Sequence, residues 1–257
     1  MRWIFPGTFW MGSPEDEPGR NEDEALHLVT LTEGFWLADT PCTQAFWQAV
    51  VGDNPSAFGP SPERPVEGVS WKDVQRFMAA FSQRVPGFEA RLPTEAEWEY
   101  ACRAGTETAT YAGSLEILGE RNAPTLDCIA WYSGNSGFDK GFEGDVDSSG
   151  DEKQVPHTRA ATHVVAQKKP NTWGLYDTLG NVWEWCQDRY APYGADETAS
   201  LDPTGPPRGT FRVFRGGSWD EPALYVRAAF RYHYGPSYRN RALGFRLARS
   251  QRLRSGP

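Results

Sequence analysis

Arg91-Leu-Pro-Thr-Glu-Ala-Glu-Trp-Glu-Tyr-Ala101 is the stretch from which the rest of the chain can be read. Thr94 with Glu97 forms a capping box, in which a hydroxyl and a carboxylate satisfy each other's backbone N–H groups at a helix start. Trp98, Ala101 and Cys102 follow as one apolar face, and Gly105 stops the helix. Arg91 and Glu97 are a candidate buried ion pair. Outward from there, Thr43 caps a helix running through Phe46, Trp47 and Val50 and closed by Gly52. Ser70-Trp-Lys-Asp73 is a variant box with Asp in place of Glu. Val74, Phe77, Met78 and Phe81 follow it at the spacing of a helix face. Elsewhere the pattern gives short strands, with His27 to Leu31 and Phe211 to Phe214 as candidates. Helix boxes in the first half and aromatic strands in the second, with no repeat and no linker, predict one intertwined α+β domain over residues 1–257.

Composition narrows the classes. Eleven Trp, 26 Gly and 20 Pro describe a turn-rich chain packed around large flat side chains, not a helical bundle. A net charge of −8 argues against sequence-independent binding of nucleic acid, and Arg246, Arg249, Arg252 and Arg254 read as a short solvated basic tail. No apolar run approaches the roughly 18 residues of a membrane span. The first residues lack the apolar core of a signal peptide, so the chain as written reads as cytoplasmic, with secretion or surface display left open. Cys42, Cys102, Cys128 and Cys186 show no paired spacing and read as buried free thiols. Residues 136–162, rich in Gly, Ser, Asp and Glu, read as a long surface insertion; Asp145-Val-Asp147-Ser-Ser-Gly150-Asp151 within it is also a candidate calcium loop.

Seven blocks, in order, carry a resemblance. They are Pro6-Gly-Thr-Phe-Trp-Met-Gly12, Pro65-Val-Glu-Gly-Val-Ser-Trp71, the Arg91–Ala101 stretch, Lys169-Pro-Asn-Thr-Trp-Gly-Leu-Tyr-Asp177, Gly180-Asn-Val-Trp-Glu-Trp185, Arg215-Gly-Gly-Ser-Trp219 and Gly244-Phe-Arg-Leu247. Together they resemble the formylglycine-generating-enzyme/sulfatase-modifying-factor family over about residues 5 to 249. The resemblance implies a C-type-lectin-like fold elaborated with long irregular segments. The tryptophans of these blocks (Trp71, Trp98, Trp173, Trp183, Trp185 and Trp219) are expected in the core, under close-packed turns.

The resemblance also implies a structural calcium ion, held by the Asp177 and Glu184 side chains and the Gly180 and Val182 carbonyls; such an oxygen set suits a hard cation. The family's enzymes oxidise a substrate cysteine to formylglycine with copper held by two cysteines between the Gly-Gly-Ser block and the final Gly-Phe-Arg. Residues 219 to 246 contain no cysteine, so no copper is expected here, since Cu(I) needs soft thiolate ligands. A second enzymatic relative uses a three-histidine iron site in a separate helical domain. The four dispersed histidines (27, 157, 163 and 233) do not supply it.

The C-terminal segment reads instead as a binding surface, about residues 219–246. It resembles the variable region of diversity-generating retroelement proteins built on the same fold, in which Asn codons are rewritten at adenines. Asp220, Tyr225, Phe230, Tyr232, Tyr234, Gly235, Tyr238, Asn240, Arg241 and Ala242 are all reachable from one Asn codon, whereas Glu221 is not and falls outside the set. Tyrosine is large, rigid and amphipathic and loses little conformational entropy on binding, and arginine shares its enrichment at interface hot spots. Strand alternation predicts Arg227, Ala229 and Arg231 on one face, and Ala228, Phe230 and Tyr232 on the other. The expected activity is non-enzymatic recognition of a protein or other macromolecular ligand. The competing expectation is an enzyme or accessory of the sulfatase-modifying type that oxidises a substrate cysteine; a third is a domain of a larger bacterial assembly.

Overall fold

The computed structural model describes residues 1–138, 144–148, 152–193 and 199–250. Along the chain, β1 (Arg2–Ile4), β2 (Gly7–Met11), β3 (His27–Leu31) and β4 (Phe35–Leu37) precede α1 (Gln44–Val51) and α2 (Trp71–Arg84). Then come β5 (Ala90–Arg91), α3 (Glu95–Arg103), the short α4 (Pro124–Asp127), β6 (Val146–Asp147) and β7 (Arg159–Ala160). The last part holds β8 (Trp183–Arg189), β9 (Ala199–Leu201), β10 (Arg212–Arg215), a 3-10 turn at Ala223–Tyr225, β11 (Arg231–Tyr234), β12 (Leu243–Gly244) and β13 (Ala248–Ser250).

All three helices read from the sequence start at their expected caps. The Thr43 hydroxyl accepts from the Phe46 N–H, and Gly52 closes α1 in the left-handed region at φ 97°. Both halves of the Ser70–Asp73 and Thr94–Glu97 boxes are formed. The third helix stops one residue earlier than expected, because Ala104 itself takes φ 47°. Glu97 does more than cap, since its carboxylate also accepts two 2.6 Å bonds from Arg91. That pair is only partly buried. Replacing Thr94 by alanine is expected to cost about 1 kcal/mol of stability, read as a lower urea midpoint with an unchanged slope.

Four sheets share the described residues, in the orders β1-β4-β13-β5, β11-β10-β8-β12, β2-β3-β9 and β6-β7. The second sheet carries the C-terminal segment: β11 runs antiparallel to β10, and β10 antiparallel to β8. The core forms three clusters. One packs Trp47, Phe77, Trp185, Phe214, Trp219 and Phe245 between α1, α2 and this sheet. A second gathers around Trp98 and Tyr132, and a third around Phe35, Val29 and Leu37. Trp98, Trp183, Trp185 and Trp219 are buried, as expected, whereas Trp71 and Trp173 are only half-buried.

In the insertion, Asp145 is bonded to Arg159 across the β6–β7 pair. Residues 149–151 of the candidate calcium loop lie outside the described residues, as do Asp139 and Glu143. Cys42, Cys102 and Cys186 are buried, but Cys128, at the end of α4, is exposed, against the expectation for all four.

Candidate functional site

The C-terminal segment is built on arginines. Arg227, Arg231 and Arg215 are fully or almost fully buried, each against glutamates from the first half of the chain. Arg227 meets Glu17 and Glu24, with 2.8–2.9 Å bonds to both Glu24 oxygens. Arg231 forms two 2.7 Å bonds with Glu95, at the first turn of α3, and donates to the Asp23 and Ala191 carbonyls. Arg215 bonds Glu99 and lies 3.5 Å from Glu95, while donating to the carbonyls of Ala228, Ala229 and Phe230. Those last bonds hold the backbone just before β11. Buried charges are tolerable when paired and hydrogen-bonded, and each of these guanidiniums faces carboxylates, although Arg215 Nε itself is buried without a hydrogen-bond partner.

Expected alternation holds only within β11, where Arg231 is buried and Tyr232 and Tyr234 are exposed. Residues 226–230 are not a strand, and Val226 through Phe230 are all buried, so the two-face expectation for 227–230 is corrected. The arginine-held turn, and not a pleat, sets their orientation.

The segment opens into a groove of about 650 Å³. Of the expected binding residues, Asp220, Tyr225, Phe230, Tyr232, Tyr234, Tyr238, Asn240 and Ala242 line it. Gly235 and Arg241 do not, although Arg241 is exposed nearby. Phe230 and Ala242 are buried floor residues at 3% and 2% exposure, and so are not free contact surface as expected. The walls are Tyr225, Tyr232 and Tyr234, 41–47% exposed, and Tyr238, stacked on Tyr234 with centroids 3.9 Å apart.

Several lining residues were not in the expected set. Trp183 and Phe214 complete the floor, and Tyr190, Asn21 and Asp23 close one side. Glu221, excluded on codon grounds, also lines the groove and accepts from the Trp183 indole N–H at 3.1 Å. Its adjacency to Asp220 was the available signal; for Asn21 and Asp23, some 200 residues away, there was none.

Burial, aided by neighbouring Asp220, pushes Glu221 up to about 7. Burial also raises Glu67 to about 7 and, with Glu95 beside it, Asp188 to about 8. Raised carboxyl groups favour the folded state fully below their unfolded values near 4, and that contribution is lost as pH rises through 7 to 8. The urea midpoint is therefore expected to fall between about pH 4 and about pH 8, and Asp188→Asn to flatten that fall.

At the residues expected to hold calcium, Asp177 Oδ1 is buried without a hydrogen-bond partner, while Oδ2 accepts from the Ala166 N–H at 2.7 Å. Glu184 already has a cation: Arg246 bonds both of its oxygens at 2.6 and 2.7 Å, and the Trp98 indole adds a 2.7 Å bond. Gly180 and Val182 are buried alongside, Gly180 with φ 73° under the Trp131 backbone. Asp177 thus has an oxygen open to a cation, and Glu184 retains only unused lone pairs.

The described lining of the groove contains no cysteine. Burial raises the thiols of Cys42 and Cys186 well above their usual range and Cys102 to about 12.

Comparison with known proteins places this geometry. The family model described as sulfatase-modifying factor enzyme 1-like domain matches residues 1–251. The chain belongs to that family. This sulfatase-modifying-factor-like chain is 34% identical over 222 residues to the formylglycine-generating enzyme of Streptomyces coelicolor, covering 82% of the chain and 60% of the relative. It is 33% identical to chaperone protein LppX of Paenibacillus barcinonensis, covering 74% and 71%. It therefore spans about 60% of the length of the Streptomyces relative. Among solved structures, Treponema denticola variable protein 1 superposes with a TM-score of 0.80 at 30% identity, covering 98% and 95% of the two chains. PvdO from Pseudomonas aeruginosa superposes at 0.75 and 26%, covering 97% and 93%. The sulfatase-modifying-factor-like chain has the C-type-lectin-like fold of that family. No helix among the described residues is long and apolar enough to cross a membrane.

Proposed function

We propose that this protein binds a protein or other macromolecular ligand in the tyrosine-walled groove and performs no chemistry there. One observation carries the reading. Exposed Tyr225, Tyr232 and Tyr234 converge with Tyr238 on one concavity, on a segment whose backbone is fixed from behind by buried arginine–glutamate pairs. Binding sites gain from such preorganisation, because less conformational entropy is lost on association. The likeness to a variable protein over almost the whole chain supports the same reading, including rewriting of the exposed positions between 220 and 242. Peptides selected from a phage-displayed random library on the wild-type protein should lose binding to the Tyr232→Ala/Tyr234→Ala/Tyr238→Ala variant. Selected peptides that bind both equally would refute the groove as the site.

The second reading, oxidation of a substrate cysteine, is favoured by the identity to the Streptomyces formylglycine-generating enzyme. Copper-dependent oxygen consumption in the presence of a cysteine-containing peptide would establish it.

We also propose the structural calcium ion that the family resemblance implies, at Asp177, whose Oδ1 is buried without a hydrogen-bond partner, with the Gly180 and Val182 carbonyls and Glu184, itself bonded to Arg246, as the further oxygens. Millimolar calcium is expected to raise the melting temperature of the wild-type protein and to leave that of Asp177→Asn unchanged, as calorimetry would show. Equal calcium effects on both proteins would remove Asp177 as a ligand.

A further inference from the structure

The groove is aromatic on its walls and floor and acidic at its ends. Trp183, with ring centroids 5.8 Å from Phe230 and 6.2 Å from Tyr232, forms the floor beneath the exposed tyrosines. Three carboxylates share the lining: Asp220, Glu221 and Asp23. Each is held in place by a neutral donor and not by a cation. Ser218 Oγ donates to Asp220 at 2.6 Å, Trp183 to Glu221 at 3.1 Å, and the Tyr190 hydroxyl to Asp23 at 2.8 Å.

The lining offers little to neutralise them. Arg231 is its one arginine among the described residues, and that guanidinium bonds both Glu95 oxygens and two backbone carbonyls. His233 is stacked on Tyr190 at 3.6 Å, and burial lowers its proton affinity, so it is neutral at pH 7. Arg241, exposed and outside the lining, is the cation whose charge reaches Asp220.

We infer that the groove takes a cationic side chain, the arginine or lysine of a basic segment on a partner protein. The inference rests on the binding function proposed above and adds the chemistry of the ligand. A cation over tyrosine and tryptophan faces is attracted by the ring quadrupole, and the attraction grows when water is excluded. Carboxylates at the ends supply the charge-assisted hydrogen bonds that fix a guanidinium or ammonium. The chain's net charge of −8 steers a basic partner toward it and repels an acidic one. An acidic or phosphorylated ligand would face the acidic side chains of Asp23, Asp220 and Glu221 without a partner for its own charge.

The test uses the same phage-displayed random peptides, selected on the wild-type protein and counter-selected on the Tyr232→Ala/Tyr234→Ala/Tyr238→Ala variant. Peptides that depend on the tyrosines are expected to be enriched in arginine or lysine at one position. Replacing that residue by glutamine in a synthetic peptide should weaken binding about tenfold or more, as should Glu221→Gln in the protein. Glutamine retains an acceptor for the Trp183 indole, so the groove keeps its shape. Tyrosine-dependent peptides that are uncharged or acidic, and indifferent to Glu221→Gln, would overturn the cation inference and leave the binding function standing. A selection yielding no tyrosine-dependent peptide would overturn both.

Discussion

Arg231→Ala is expected to destabilise the protein by roughly 3–5 kcal/mol, whereas Tyr232→Ala, one residue on, should change stability by about 1 kcal/mol or less. The contrast follows from where each side chain goes. Arg231 is 3% exposed and satisfied by two Glu95 oxygens and two carbonyls. Its loss leaves Glu95 buried beside Arg215 with half of its counter-charge gone, and frees the Asp23 and Ala191 carbonyls. Tyr232 is 47% exposed and rests against Phe214 and Trp183 from outside. Urea denaturation followed by tryptophan fluorescence distinguishes the two variants. Equal losses would mean that the tyrosine is part of the core and the arginine is not what holds β11.

Removing the tyrosine wall should act the other way. In the Tyr232→Ala/Tyr234→Ala/Tyr238→Ala variant, affinity for groove-selected peptides is expected to drop at least about a hundredfold, since interface hot spots are each worth about 2 kcal/mol or more. Stability should fall by only about 1 kcal/mol, most of it at Tyr238, which packs on the core and receives the Asn240 amide at 3.0 Å. Titration by isothermal calorimetry, with a melting curve on the same sample, reads both quantities. A variant that melts far below the wild type would show the tyrosines to be scaffold.

The local parts of this structure were legible in the sequence. A cap is a conversation between residues three apart, so Thr43, Ser70 and Thr94 announced α1, α2 and α3. The strand candidate His27 to Leu31 is β3 to the residue. The tyrosines of the groove stood out by their density between residues 225 and 238, with arginines among them, a mixture enriched at interfaces. What was hidden is non-local. Nothing near Arg227 or Arg231 in sequence says that Glu24 and Glu95 will meet them, 203 and 136 residues away. That omission produced the error at residues 227–230, where alternation was read into a turn held by ion pairs. Equally, Glu221 and Asp23 became groove residues only once β8, β10 and β11 lay side by side.

The position of β13 bears on the protein's birth. This strand, among the last described residues, lies between β4 and β5, from the first half of the chain, and joins both. Arg227 and Arg231 likewise wait for partners made long before them. Contacts so distant in sequence form slowly, because a long stretch of chain must be closed before any is gained. During folding, β4 and β5 keep an edge unpaired, and Glu24 and Glu95 lack these counter-charges, until β13 and the Arg227–Arg231 segment dock. A folding intermediate in which β13 has not docked therefore exposes a sticky strand edge along β4.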